Sequence, residues 1–127
     1  MELRLHHIAL ICSDYERSKA FYTELLGLRI IREVYRPERR SHKLDLALGG
    51  EYVLELFSFP EPPPRPSYPE ACGLRHLAFA VRDIEETIAA LNKKGIETEV
   101  LRIDEHTGRR FTFFADPDGL PLEIYEQ

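Results

Sequence analysis

The sequence predicts an α+β fold: two tandem βαβββ modules forming a cupped, barrel-like mixed β-sheet. Three observations carry this expectation. Short apolar runs of strand length alternate with single amphipathic stretches of helix length. An Asp at the start and a Gly at the end punctuate each helical stretch. The order of elements before a proline-rich segment then repeats after it. One domain over residues 1–127 follows, with module 1 at about 4–58, a linker at about 59–73 and module 2 at about 74–127.

The first element is LHHIALIC, residues 5–12, a continuous apolar run read as a buried strand. Asp14 can cap the free N–H groups of a following helix. Phe21, Tyr22, Leu25 and Leu26 form its apolar stripe, and Gly27 suits the left-handed position that ends it. Strands are expected at about 28–36, 43–49 and 52–58. In the middle one Leu44, Leu46 and Leu48 alternate with Lys43, Asp45 and Ala47, the pattern of a half-buried strand. Gly49-Gly50 marks the turn into the next.

Six of the nine prolines fall within residues 60–69, which forbids helix or central strand there and predicts a stiff extended spacer. GLRHLAFAV then opens a second strand. Asp83 with Glu86 makes a capping box, Ile84, Ile88 and Leu91 form the buried stripe, and Lys93, Lys94 and Gly95 close the helix. Strands follow at about 96–103, 109–115 and 121–126, with Asp116-Pro117-Asp118-Gly119 as the last turn. His7 recurs as His76 and Asp14 as Asp83, both 69 positions on; Gly27 recurs as Gly95 and Glu55 as Glu123, both 68 on. Shared offsets across histidine, cap, stop and glutamate indicate a duplicated unit.

Composition narrows the function classes. A net charge of -5 offers no basic patch for nucleic acid and no attraction to anionic membranes. No apolar run approaches the ~20 residues of a membrane span, and MELRLHH lacks a signal-peptide core. A cytoplasmic protein is expected. Cys12 and Cys72, without C-x-x-C spacing, are expected to be buried thiols.

Each module places one histidine in its first strand and one glutamate in its last. Period 2 sends Leu54, Leu56, Leu122 and Ile124 to one face of the sheet. Glu55 and Glu123 go to the other with Val53, Phe57, Pro121 and Tyr125, an apolar concavity in which an ionised carboxylate needs a cation. One such histidine or glutamate would be an ordinary structural residue. Two copies related by a repeat supply two imidazoles and two carboxylates, a donor set suited to a first-row divalent ion with open positions. By the same period His6 falls on the face opposite His7 and is expected to pack beneath the helices.

The ordered motifs HIAL, ELF, HLAF, DPDG and LEIYE on a duplicated βαβββ unit resemble the vicinal oxygen chelate superfamily, which includes glyoxalase I, bleomycin-resistance proteins and extradiol dioxygenases. SFPEPPPRP followed by EACGLRHLAF is similar to its small YaeR-like, glyoxalase-related bacterial subgroup. The resemblance implies His7, Glu55, His76 and Glu123 as ligands of one divalent metal ion per site, whether Ni, Co, Zn, Mn or Fe. The short chain resembles the nickel- or cobalt-preferring form. It further implies a lyase or isomerase that forms a metal-stabilised enediolate from a small vicinal-oxygen substrate. Glu123 is then the implied base and Glu55 the alternative, and a homodimer is implied as the assembly, with each site built either within one chain or across two.

The chain departs from glyoxalase I at two positions. Ile11 stands where that enzyme carries an arginine for glutathione, and Phe59 stands where it carries an asparagine. Candidate substrate contacts are Phe57, Tyr125, Arg109 and Arg110, the arginines as anion partners. Tyr35, His42 and Arg75 are further pocket candidates, and His106 is expected to be exposed. Two other readings differ in their ligands. An extradiol dioxygenase or a fosfomycin-type thiol transferase needs three metal ligands, and a drug-binding resistance protein needs none.

Overall fold

Ser13 and Asp14 break the first strand, and the Asp14 side chain accepts a hydrogen bond from the Arg17 N–H at 3.2 Å to open a helix. The computed structural model describes all residues, Met1–Gln127, and divides into two units, Met1–Pro64 and Arg65–Gln127. The first contains β1 (Ile8–Cys12), α1 (Tyr15–Ala20), β2 (Arg29–Arg36), β3 (Ser41–Leu48) and β4 (Glu51–Ser58). Its four strands lie in the order β1-β4-β3-β2, with β1 parallel to β4 and the other pairs antiparallel. The parallel pair requires a long crossover, which α1 and the strands after it supply.

After α1 the chain widens into a π-helical turn, Phe21–Leu25, in which the Leu26 N–H donates to the Phe21 carbonyl at 3.0 Å. Such a turn accommodates one extra residue in a helix. This explains the slip of the repeat from 69 to 68: Asp14 and Gly27 are 13 apart, Asp83 and Gly95 only 12. Gly27 (φ 81°) and Gly95 (φ 82°) both take the left-handed conformation that ends the helix. Tyr22, Leu44, Leu46 and Leu56 are buried on the helix side of the sheet. Truncating any of these leucines to alanine would cost about 2–5 kcal/mol.

The second unit repeats the plan with β5 (Leu77–Val81), α2 (Ile84–Lys93), β6 (Arg102–Ile103), β7 (Arg110–Ala115) and β8 (Pro121–Glu126). The strand order is β5-β8-β7-β6, again with the first strand parallel to the last. Asp83 caps α2 by accepting from the Glu86 N–H at 2.9 Å. Ile84, Leu91, Leu122, Ile124 and Phe114 form the core. Two four-stranded mixed sheets with few helices realise the expected α+β class.

Several expectations need correction. The first strand begins at Ile8, not at residue 5, and the strand expected over 96–103 contracts to Arg102–Ile103. Preceding residues follow β7 through isolated bonds, Glu99 N–H to Phe113 O and Thr112 Oγ1 to Glu99 O, both 2.8 Å, instead of a ladder. Cys12 is buried as expected, but Cys72 is exposed because the proline-rich segment leaves it outside the core. No helix is long and apolar enough to cross a membrane.

Candidate metal centre

β1 and β4 run side by side with Ala9 opposite Glu55, and β3 places Asp45 on the other flank of the same glutamate. The methyl of Ala9 leaves room for the carboxylate on that face. His7, one residue before β1, points its Nε2 at Glu55 Oε2 across 3.8 Å. Its other ring nitrogen, Nδ1, lies 2.7 Å from Nδ1 of His6. A metal-ligating histidine commonly donates its second ring N–H to a carboxylate, carbonyl or water; here the partner is another imidazole. His6 is therefore not packed beneath the helices: both histidines precede the strand, so the period of 2 does not govern them. Both rings flank the ring of Tyr52, at 5.3 and 5.0 Å between centroids.

Glu55 does not face an apolar surface. The Tyr52 hydroxyl lies 2.8 Å from Glu55 Oε2 and 2.9 Å from Asp45 Oδ1, and the Lys43 ammonium reaches Asp45 at 2.7 Å and Glu55 at 3.2 Å. Burial pushes the Asp45 carboxyl up, but Lys43 and Tyr52 outweigh it and hold Asp45 below the usual carboxylate range. The hydrogen bond to Asp45 raises Lys43 despite its own desolvation. Burial, reinforced by the two carboxylates, raises the Tyr52 hydroxyl. The signal for this cluster was present in KLDLAL. Lys43 and Asp45 share the parity that pairs with Glu55, so the polar side of β3 is the glutamate side rather than a solvated one.

The second unit has the same backbone frame with different neighbours. Ala78 and Phe113 flank Glu123 in register, as Ala9 and Asp45 flank Glu55. His76 Nε2 lies 3.0 Å from Glu123 Oε2, and the Phe113 ring meets the His76 ring edge-on at 5.2 Å. Where Lys43 and Asp45 stand in the first unit, 68 positions on the second carries Phe111 and Phe113. One glutamate thus sits in a charged, hydrogen-bonded cluster, and the other sits beside aromatic rings.

Two cis donors on an ion with bonds of about 2.1 Å are roughly 3.0–3.4 Å apart. The His76–Glu123 separation of 3.0 Å falls within that span and fits two adjacent ligand positions, while the His7–Glu55 separation of 3.8 Å is somewhat longer than it. Imidazole and carboxylate suit Zn, Ni, Co, Fe and Mn alike. In the first unit two carboxylates share one lysine, with Arg32 at 3.8 Å from Asp45, so Glu55 has capacity for a further cation. No group of three or more His, Cys, Asp or Glu side chains that could hold a metal ion is gathered in the structure.

Phe57 and Tyr125 lie on the glutamate face of their sheets. Phe57 is covered by the Arg36 guanidinium at 5.0 Å, and the Tyr125 hydroxyl donates to Asp104 at 3.0 Å and meets the Thr107 hydroxyl. Arg110 lies on the opposite face, where both its fork bonds to Glu126 are 2.8 Å. This pairing holds Glu126 below the usual carboxylate range. The Arg109 side chain is exposed at the start of β7, and His106 is exposed as expected. His42 stacks on Tyr15 at 4.1 Å and meets Tyr35 at 4.7 Å, on the helix side. Arg75 lines a cavity beside His76.

A model of the Glyoxalase/Bleomycin resistance protein/Dioxygenase superfamily matches residues 4–124. The uncharacterized protein YwkD of Bacillus subtilis (strain 168) is 63% identical over 123 residues, covering 97% of this chain and 96% of its own. YaeR of Escherichia coli (strain K12), also uncharacterized, is 60% identical over 124 residues, covering 98% and 96%. The crystal structure of a glyoxalase family protein from Enterococcus faecalis, 57% identical, matches with a TM-score of 0.91 over 97% of each chain. At greater distance, lactoylglutathione lyase of Salmonella typhimurium is 29% identical over 133 residues, covering 98% of this chain and 93% of that enzyme.

Proposed function

The chain belongs to the Glyoxalase/Bleomycin resistance protein/Dioxygenase superfamily, and on that premise we propose that it is a cytoplasmic, divalent-metal-dependent lyase or isomerase of the glyoxalase I type. Its substrate is a small molecule with vicinal oxygens. The observation that carries this reading is the recurrence of a facing His–Glu pair at equivalent positions of both units, His7 with Glu55 and His76 with Glu123. The full-length similarity to a lactoylglutathione lyase supports the reaction class. The two pairs are the proposed metal ligands, whether they meet within one chain or across two chains of a homodimer.

A bound divalent ion supplies Lewis-acid stabilisation of the oxyanion left when a proton is removed beside a carbonyl. The residues divide the remaining work. Glu55, engaged by Lys43 and Tyr52, is held in place. Glu123, with His76 as its polar partner and a phenyl ring on its flank, is free to turn and is the base that takes and returns the carbon-bound proton at its Oε. Phe57 and Tyr125 supply apolar walls that exclude water. Arg110 is committed to Glu126 and takes no part. The exposed edge strand β2, with Ile30, Ile31, Val34 and Tyr35 open to solvent, supports a homodimer.

The test is solvent deuterium exchange into the carbon beside the carbonyl of a hemithioacetal or small hydroxyketone, followed by NMR at saturating metal. The native protein should catalyse exchange, and Glu123→Gln should lose about a hundredfold or more. Glu55→Gln distinguishes the alternatives: a three-ligand dioxygenase or thiol transferase would tolerate it, whereas a four-ligand site would not. Absence of exchange with every divalent ion tried would overturn the reading.

A further inference from the structure

The second unit carries a partly open cavity of about 240 Å³ that His76 lines together with Arg65, Arg75, Arg102, Tyr68 and Phe113. Glu70 and Glu99 line it too, so three arginines outnumber two glutamates. Arg65, half-buried, donates to two backbone carbonyls, Leu74 O at 2.7 Å and Arg75 O at 2.9 Å, and to the Ser67 hydroxyl at 3.1 Å. None of these partners is a carboxylate, so its charge is uncompensated. Arg75 has only a loose pairing with Glu70, at 3.6 Å and with both side chains more than half exposed. Arg102 reaches Glu99 at 3.1 Å, while its guanidinium lies 5.2 Å from the Phe113 ring centroid and 5.3 Å from that of Phe111. Exposed pairs of this kind contribute little and yield readily to a ligand. The aromatic faces hold Arg102 oriented without consuming its hydrogen-bond donors.

We propose that this cavity is an anion subsite that takes the terminal carboxylate or phosphate of a small substrate, with Arg75 and Arg102 as the gripping residues and Arg65 as the fixed charge behind them. The proposal rests on the glyoxalase-type reading, because His76 belongs both to the cavity wall and to the proposed ligand set. The cavity is partly open to solvent, so a small acid or phosphorylated carbonyl compound can place its anionic end there while the rest of the molecule extends outward. The anion would sit at the arginines, and the vicinal oxygens would extend past His76.

The experiment uses chelator-treated full-length protein titrated with inorganic phosphate and, separately, malonate, followed by NMR of the arginine side-chain N–H groups and the histidine rings. Either anion should shift Arg65, Arg75, Arg102 and His76. Tighter phosphate binding would assign a phosphate headgroup, and tighter malonate binding a carboxylate. Arg75→Met and Arg102→Met should each weaken binding about tenfold, the loss of one charge-assisted hydrogen bond. Lys93→Met, on α2, should change nothing. Arg102→Met could loosen packing on the two phenylalanines, whereas the exposed Arg75 can be replaced without that risk, so Arg75→Glu gives a second arm and should abolish binding. No shifts with either anion, or undiminished affinity in the Arg75 variants, would overturn the subsite. Because no metal is present, that failure leaves the metal reading standing, and a failure to bind metal leaves the anion result standing.

Discussion

Replacing Lys43 by methionine removes the cation that Asp45 and Glu55 share while keeping the aliphatic volume. The two carboxylates are direct cross-strand partners. The Asp45 side chain is only 3% exposed and that of Glu55 12%. Breaking a buried pair by removing one partner costs about 3–5 kcal/mol. Lys43 itself is 28% exposed, and Arg32 and Tyr52 remain near Asp45, so the expected loss is smaller, about 2–3 kcal/mol. With 127 residues at about 2.1 cal/mol/K each, the unfolding entropy is about 0.27 kcal/mol/K and the melting temperature should fall by about 9 °C. The loss is larger if Met1–Pro64 melts alone. The measurement is calorimetry in a chelating buffer at neutral pH. Asp45 is lowered in the folded state, so its contribution is complete above an unfolded value of about 3.9 and is lost as pH falls through the folded value. The raised Lys43 contributes below about 10.4 and loses its effect as pH rises through its folded value. The deficit of Lys43→Met should therefore be full between about pH 4 and 10 and narrow on either side. A divalent ion should restore more stability to the variant than to the native protein, since it replaces the missing charge. A variant melting within about 2 °C of native in chelator would refute the shared-cation argument.

Removing the α2 cap by Asp83→Ala should cost about 1 kcal/mol, a fall of about 4 °C by the same entropy, measurable by circular dichroism. Glu33 is held below the usual carboxylate range by hydrogen bonds from Lys19, at 2.7 Å, and from the Tyr15 hydroxyl. Its stabilisation should be present above about pH 4.3 and disappear as pH falls through its depressed value. NMR titration should find that value restored toward normal in Lys19→Met.

The duplication, the caps and the histidine and glutamate of each unit were legible because each depends on local chemistry repeated at a fixed offset. Even the slip from 69 to 68 was visible as a number, though its cause, the π-helical turn at Phe21–Leu25, was not. The alternation of Lys43 and Asp45 with leucines marked a half-buried strand, but alternation reports faces without saying what the polar face meets. Only the register of β3 against β4 places them on Glu55. His6 was misplaced because a period-2 argument was extended beyond the first residue of the strand. The cavity of Arg65, Arg75 and Arg102 joins a proline-rich segment, a strand start and a two-residue strand, elements far apart in sequence with no shared period.

The most direct test of the central claim is equilibrium metal binding to the native protein and to His7→Ala, Glu55→Gln, His76→Ala and Glu123→Gln, with nickel, cobalt, zinc and manganese in turn. The account predicts one ion per site for the native protein, whether the site is built within one chain or across two, and a loss of at least about tenfold in affinity from each of the four substitutions. Native-like affinity in any of the four, or no bound ion in the native protein, would contradict it.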